Sequence, residues 1–177
     1  MLRLTRFAPA SSPPAGTLSL GFEDRRRSRQ LARLDDGREV GLHLPRGTVL
    51  RDGDRLLGDH DGSPVVVVRA APETLSVART ADAHLLARAA YHLGNRHVPL
   101  QVAPDNVAYQ HDHVLDGMVR ELGLKVTTEQ APFEPEAGGY RHVGSDRHAH
   151  DHDHGHEHDH GHKREHRHGH HHGDGND

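Results

Sequence analysis

Residues 148–162 read HAHDHDHGHEHDHGH, with His148, His150, His152, His154, His156, His158, His160 and His162 alternating with alanine, aspartate, glutamate and glycine. Neutral imidazole is a good ligand for nickel, zinc and copper, and in an extended chain residues two apart point to the same side. Neighbouring pairs can therefore clamp one ion, with carboxylates helping. A flexible segment must be ordered as it binds, which lowers the affinity for each ion, so several weak, exchangeable sites are expected. Residues 156–160, HEHDH, also fit the zinc-protease pattern H-E-x-x-H, whose mechanism needs two histidines on one face of a stable helix. The glycine and histidine flanks offer no apolar stripe to dock a helix, and the match is a coincidence of low complexity.

Of the 21 histidines, seven precede Arg141 and fourteen follow it. The formal net charge of −4 counts each as neutral, and mild acidification turns the tail cationic, so net charge says little about partners. Two of the earlier histidines, His111 and His113, stand in QHDHV at the junction of an expected strand and helix. If the strand continues to His113, both imidazoles share a face, and Asp112 is placed to cap the helix or orient a ligand. Two surface histidines at a helix start read equally well. The absence of cysteine excludes disulfides, zinc fingers and Cys-x-x-Cys motifs, which leaves imidazole and oxygen as ligands for any transition metal.

Two folded segments and a tail must position these groups. Residues 1–72 read as short strands with turn punctuation: LRLTRF alternates, DDG (Asp35, Asp36, Gly37) separates RSRQLARL from REVGLHL at hairpin spacing, GTVLRDGDRLL repeats the pattern, and PVVVVRA is a β-branched run suited to burial on both faces. A small all-β domain is expected there. Over residues 73–137 a strand at 74–80 precedes Leu86, Ala89, Ala90 and Leu93 at helical spacing, with Gly94 as cap. Strands at 98–102 and 107–111 follow, then Leu115, Met118, Val119 and Leu122 at helical spacing with Gly123 ending the helix, then KVTTEQ. The order βαββαβ gives an α+β chain whose second domain is ferredoxin-like. Residues 138–177 contain no sizeable apolar side chain after Val143 and are expected to be disordered without metal. No signal-peptide core or membrane-span length of apolar residues occurs, so a cytoplasmic protein with no membrane or nucleic-acid partner is expected.

The segment YHLGNRHVPLQV, residues 91–102, closely resembles the signature of the UreE family of urease accessory proteins, and SRQLARLDDGREVGLHLPRGTVLRDGD is similar to that family's N-terminal domain. The resemblance covers most of residues 20–130 and implies a homodimeric nickel chaperone, not an enzyme. It implies that His97 meets its counterpart at a two-fold axis and shares one Ni²⁺ with it. It also implies a peripheral site at His111 and His113, with tail histidines as further ligands. The partners implied are urease apoprotein and its accessory proteins, including the GTPase, and the N-terminal domain resembles a peptide-binding module of Hsp40 chaperones. A two-fold axis beside a single histidine supplies the second imidazole that tight binding needs. At such a nitrogen and oxygen site Cu²⁺ should bind more tightly than Ni²⁺, and Zn²⁺ can also bind, so selectivity must come from availability and from the accepting partner. Two other readings remain open: a Ni/Zn buffer that works through its tail, and a metal-regulated protein-binding adaptor.

Overall fold

The structure, a computed structural model, describes residues 1–60 and 62–137. The expectation of a disordered tail falls on residues 138–177, outside the described ones. The described chain is mixed α and β, mostly strand, in two sheets.

The first sheet is built from β1 (Leu2–Phe7), β2 (Gly16–Leu20), β3 (Arg29–Arg33), β4 (Glu39–His43), β5 (Arg55–Gly58) and β6 (Val66–Ala70) in the order β2-β6-β5-β1-β4-β3. Strands β1 and β4 pair parallel, as do β2 and β6, and the other neighbours are antiparallel. The DDG hairpin joins β3 to β4, and Gly37 adopts φ 89°, which a side chain would resist. Leu4, Leu18, Leu42, Leu50 and Leu56 have no exposed surface and form the centre of this sheet's core. In β6, Val66, Val67 and Val68 are all buried, as a β-branched run implies.

Two expectations for this region need correction. Residues 47–50 are not a strand: Gly47 takes φ 81°, and Leu50 enters the core from a loop whose N–H donates to the Arg25 carbonyl. The second is a one-turn helix, α1 (Phe22–Arg25), within a segment read as all-β. Its Phe22 N–H donates to Glu73 Oε2 at 2.9 Å, and its Phe22 ring meets Phe133 edge-on with centroids 5.4 Å apart.

The second sheet follows from β7 (Pro72–Arg79), α2 (Ala83–Gly94), β8 (Gln101–Val102), β9 (Asn106–Gln110), α3 (His113–Glu121) and β10 (Lys125–Pro132), with strand order β10-β7-β9-β8 and every neighbouring pair antiparallel. Both faces are covered, and the two-residue side-chain period sorts the residues between them. Ala78, Val107 and Tyr109 lie under the helices with Leu86, Ala89, Leu93 and Val119. Leu75, Val77 and Ala108 lie on the other face, against Phe22 and Phe133. Strand β8 is only two residues long, where residues 98–102 were expected to be extended. Pro99 has no N–H to give a ladder, while Val98 and Leu100 turn into the core instead. Strand β10 is an eight-residue edge paired along its whole length to β7, with Lys125, Thr128, Gln130 and Pro132 exposed. Among the described residues no helix is long and apolar enough to cross a membrane.

Arg25 ties the two sheets together. Its side chain is fully buried, and its guanidinium donates to the Leu50 carbonyl at 3.0 Å, to the Phe133 carbonyl and to the Glu134 carboxylate. Glu134 also accepts from the Asp52 N–H at 3.2 Å and from Arg51 at 3.4 Å. The run DRRRSRQ suggests a solvated strand edge; Arg26 and Arg27 are exposed, but Arg25 is not. Removing one partner from such a pair leaves a buried charge uncompensated. Because Glu134 keeps 31% of its side chain in water, Glu134→Gln should destabilise the fold by about 2–3 kcal/mol, less than for a fully buried partner. Urea unfolding measures this, and an unchanged midpoint would show that the pair does not hold the sheets.

Candidate metal centre

Helix α2 begins where Asp82 accepts from the N–H groups of His84 at 2.9 Å and Leu85 at 3.2 Å, satisfying two donors that have no partner within the helix. Its other end carries the candidate ligand. The Val98 N–H donates to the Leu93 carbonyl and the His97 N–H to the Gly94 carbonyl, at 3.3 and 2.8 Å. This is the hydrogen-bond pattern of a Schellman motif, with His97 in the position glycine usually takes. His97 adopts φ 57°, and among the described residues it is the one non-glycine with positive φ.

Helix α3 ends in the same hydrogen-bond pattern. There the Leu124 N–H donates to the Val119 carbonyl and the Gly123 N–H to the Arg120 carbonyl, and Gly123 has φ 102°. The same turn thus ends both helices, with glycine in one and histidine in the other. Gly123 ends its helix as its sequence position implies, whereas Gly94 does not cap α2 and remains inside it. A β-carbon in the left-handed region costs about 1–2 kcal/mol. The cost is borne at a residue whose side chain is exposed, where packing does not require histidine. Nearby, Tyr91 is 65% exposed, and Arg96 reaches back to the His92 carbonyl at 3.4 Å.

His111 and His113 flank the start of α3, and their arrangement differs from a continued strand. Strand β9 ends at Gln110, and Asp112 is the N-cap, accepting from the Val114 and Leu115 N–H groups at 2.8 and 3.1 Å. These backbone bonds, that to Leu115 foremost, hold the Asp112 carboxyl below the ordinary carboxylate range. The His111 ring is anchored on one side: Nδ1 lies 2.9 Å from Ser76 Oγ and 3.5 Å from Asp116 Oδ2. Asp116 is almost fully buried and accepts from the Tyr109 hydroxyl at 2.9 Å. Burial, then the bond to Asp116, pushes the Tyr109 hydroxyl well above its usual range, so it stays a donor. His113 is exposed at the first turn.

Strand directions put the end of α2 and the start of α3 toward the same end of the sheet, where β7 begins and β9 finishes. Among the described residues, however, no three histidine, aspartate or glutamate side chains gather into a group able to hold a metal. His97 therefore belongs to no such group among the described residues. His148, His150, His152, His154, His156, His158, His160 and His162 lie outside the described residues. Sequence reading missed Ser76, Tyr109 and Asp116. The available signal was an aspartate beside the apolar stripe of α3, between Leu115 and Val119.

Residues 3–71 match the family model described as UreE urease accessory protein, N-terminal domain, and residues 73–162 match UreE urease accessory protein, C-terminal domain. The chain is 60% identical over 141 residues to the urease accessory protein UreE of Pseudomonas putida strain W619, covering 80% of this chain and 87% of that one. It is 57% identical over 140 residues to the corresponding protein of Alkalilimnicola ehrlichii, covering 79% of this chain and 85% of that one. To that of Escherichia coli O157:H7 it is 49% identical over 140 residues, covering 79% and 90%.

Two measurements test this geometry without metal. His97→Gly should stabilise the fold by about 1 kcal/mol in urea unfolding, because glycine adopts the left-handed turn freely. His97→Ala keeps a β-carbon and should gain nothing; equal gains for both would show that the turn is unstrained. Because the Asp112 pKa is lower in the folded state than in the unfolded one, its contribution is complete above the ordinary carboxylate value of about 4 and is lost as pH falls through the folded value. Asp112→Asn keeps the cap without the charge. The stability difference between wild type and this variant should shrink on acidification, and a difference that stays flat rules out the charged cap.

Proposed function

Since the chain belongs to the UreE family of urease accessory proteins, we propose that it binds Ni²⁺ and delivers it to the urease assembly complex in the cytoplasm. The observation that carries this reading is His97: an exposed imidazole kept at a left-handed turn position where glycine would be more stable. One imidazole holds a metal weakly, and a homodimer with His97 beside its two-fold axis supplies a second. His111 and His113 form a secondary site, completed by groups beyond the described residues. The tail histidines are a reservoir that lends ligands to His97. Imidazole ligands donated one at a time exchange readily, as delivery requires, and no covalent bond is made or broken, so no catalytic residue is assigned. Zn²⁺ and Cu²⁺ compete for the same ligands in vitro.

The division of labour follows the sheets. Residues 1–72 form a mainly β module for a protein partner, residues 73–137 a ferredoxin-like module for dimerisation and metal, and residues 138–177 the reservoir. The strand order β10-β7-β9-β8, with crossover helices α2 and α3, supports the ferredoxin-like reading. Urease apoprotein and its accessory proteins, including the GTPase, are the recipients.

Nickel stoichiometry of intact protein, protein truncated after Val143 and the His97→Ala variant, compared under identical conditions, tests the reading. The truncated protein should keep one tighter Ni²⁺ per dimer, and His97→Ala should remove it. Loss of nearly all binding on truncation would instead make the protein a buffer that works through its tail.

A further inference from the structure

We infer that Asp116 is a positioning residue for His111: its buried carboxylate, held by the Tyr109 hydroxyl, keeps the His111 proton on Nδ1 and turns the Nε2 lone pair outward as the metal ligand. The inference deepens the secondary site of the proposed function and rests on that reading for the identity of the ligand.

The contacts can be followed atom by atom. A carboxylate only accepts, so the Tyr109 O–H is donated to Asp116 Oδ1 at 2.9 Å. Ser76 stands directly opposite Tyr109 across β7 and β9, and its Oγ lies 2.9 Å from His111 Nδ1, where a hydroxyl can accept as well as donate. The buried carboxylate beside that nitrogen decides between the two. The second carboxylate oxygen of Asp116, 3.5 Å from Nδ1, favours a proton there, because a lone pair on Nδ1 would face negative charge. Arg120, one turn along α3, lies 3.5 Å from that oxygen and helps balance it.

Burial makes the direction firm. Ser76 and Tyr109 have no exposed surface and Asp116 has 2%, so water does not offer alternative partners, and the carboxylate acts on Nδ1 at low local dielectric. The His111 side chain is 41% exposed, and among the described residues Nε2 makes no hydrogen bond. The result is an imidazole fixed in tautomer and orientation on its buried side and open on the other, the arrangement in which a metal-binding histidine gives its remaining N–H to an anchored acceptor. A histidine that packing alone held in place would not need a buried carboxylate beside it.

The test uses the full chain, ¹⁵N-labelled, at a pH where imidazole is neutral, with the His111 ring signals identified by their loss in His111→Ala. In metal-free wild type these signals should report Nδ1–H, whereas Asp116→Asn, whose amide can donate as well as accept, should shift them toward the mixture of tautomers seen in free imidazole. Ser76→Ala, which leaves Asp116 in place, should keep the signals at Nδ1–H, and their loss in that variant would show that Ser76 and not Asp116 sets the tautomer. A second arm adds Ni²⁺ at free concentrations fixed by a chelator and follows perturbation of the His111 signals; Asp116→Asn should weaken binding there about 10-fold. An Nε2–H tautomer in wild type, or a folded Asp116→Asn with unchanged tautomer and affinity, overturns the inference. Nδ1–H signals that ignore Ni²⁺ at concentrations perturbing other histidines would overturn the ligand role and the secondary site of the proposed function, while the orienting role of Asp116 would stand.

Discussion

A guanidinium with no exposed surface holds this chain's two sheets in one body. Arg25 sits in a one-turn helix of the first half, and its two terminal nitrogens donate to the Leu50 carbonyl, the Phe133 carbonyl and the Glu134 carboxylate. Burying it is unfavourable unless its partners are in place, so the loop at Leu50 and the segment after β10 must be ordered together. Phe22 and Phe133 pack beside the pair and close the helix-free face of the second sheet. With that face sealed, the opposite one is free to carry α2 and α3, whose ends present His97, His111 and His113. The positions of His97, His111 and His113 thus depend on a contact made far from them.

The three imidazoles are held in different ways. His97 is exposed, on a backbone turn that glycine would occupy with less strain. His111 is gripped through one ring nitrogen by side chains from β7 and α3. His113 takes its place from the helix that Asp112 caps. Backbone strain, side-chain anchoring and capping are separate devices, and each fixes an imidazole while leaving part of it open to solvent.

What the sequence discloses divides along the range of the interactions involved. Leu86, Ala89 and Leu93 are buried on α2 and Val119 on α3, because helical periodicity is local. The Asp35-Asp36-Gly37 turn is legible for the same reason. Arg25 is not, since its burial depends on a carboxylate 109 residues away. The short β8 was misread because Val98 and Leu100 look like strand residues, while Pro99 and the turn at His97 decide otherwise. The family signature around GNRH draws attention to His97 but not to its conformation, and the chain from His111 to Asp116 joins two strands and a helix that no short motif spans.

Strand β10 has a consequence for behaviour at high concentration. Its outer edge is the end of the described sheet, and such an edge is a template on which another copy can grow by strand addition. Here the eight residues carry Lys125 at one end and Pro132 at the other, with Glu129 held by Arg79 between them. Charge and a missing N–H blunt the template, and no large apolar side chain on it is fully exposed. Copies of this chain can therefore become locally crowded without nucleating fibrous aggregates through this edge.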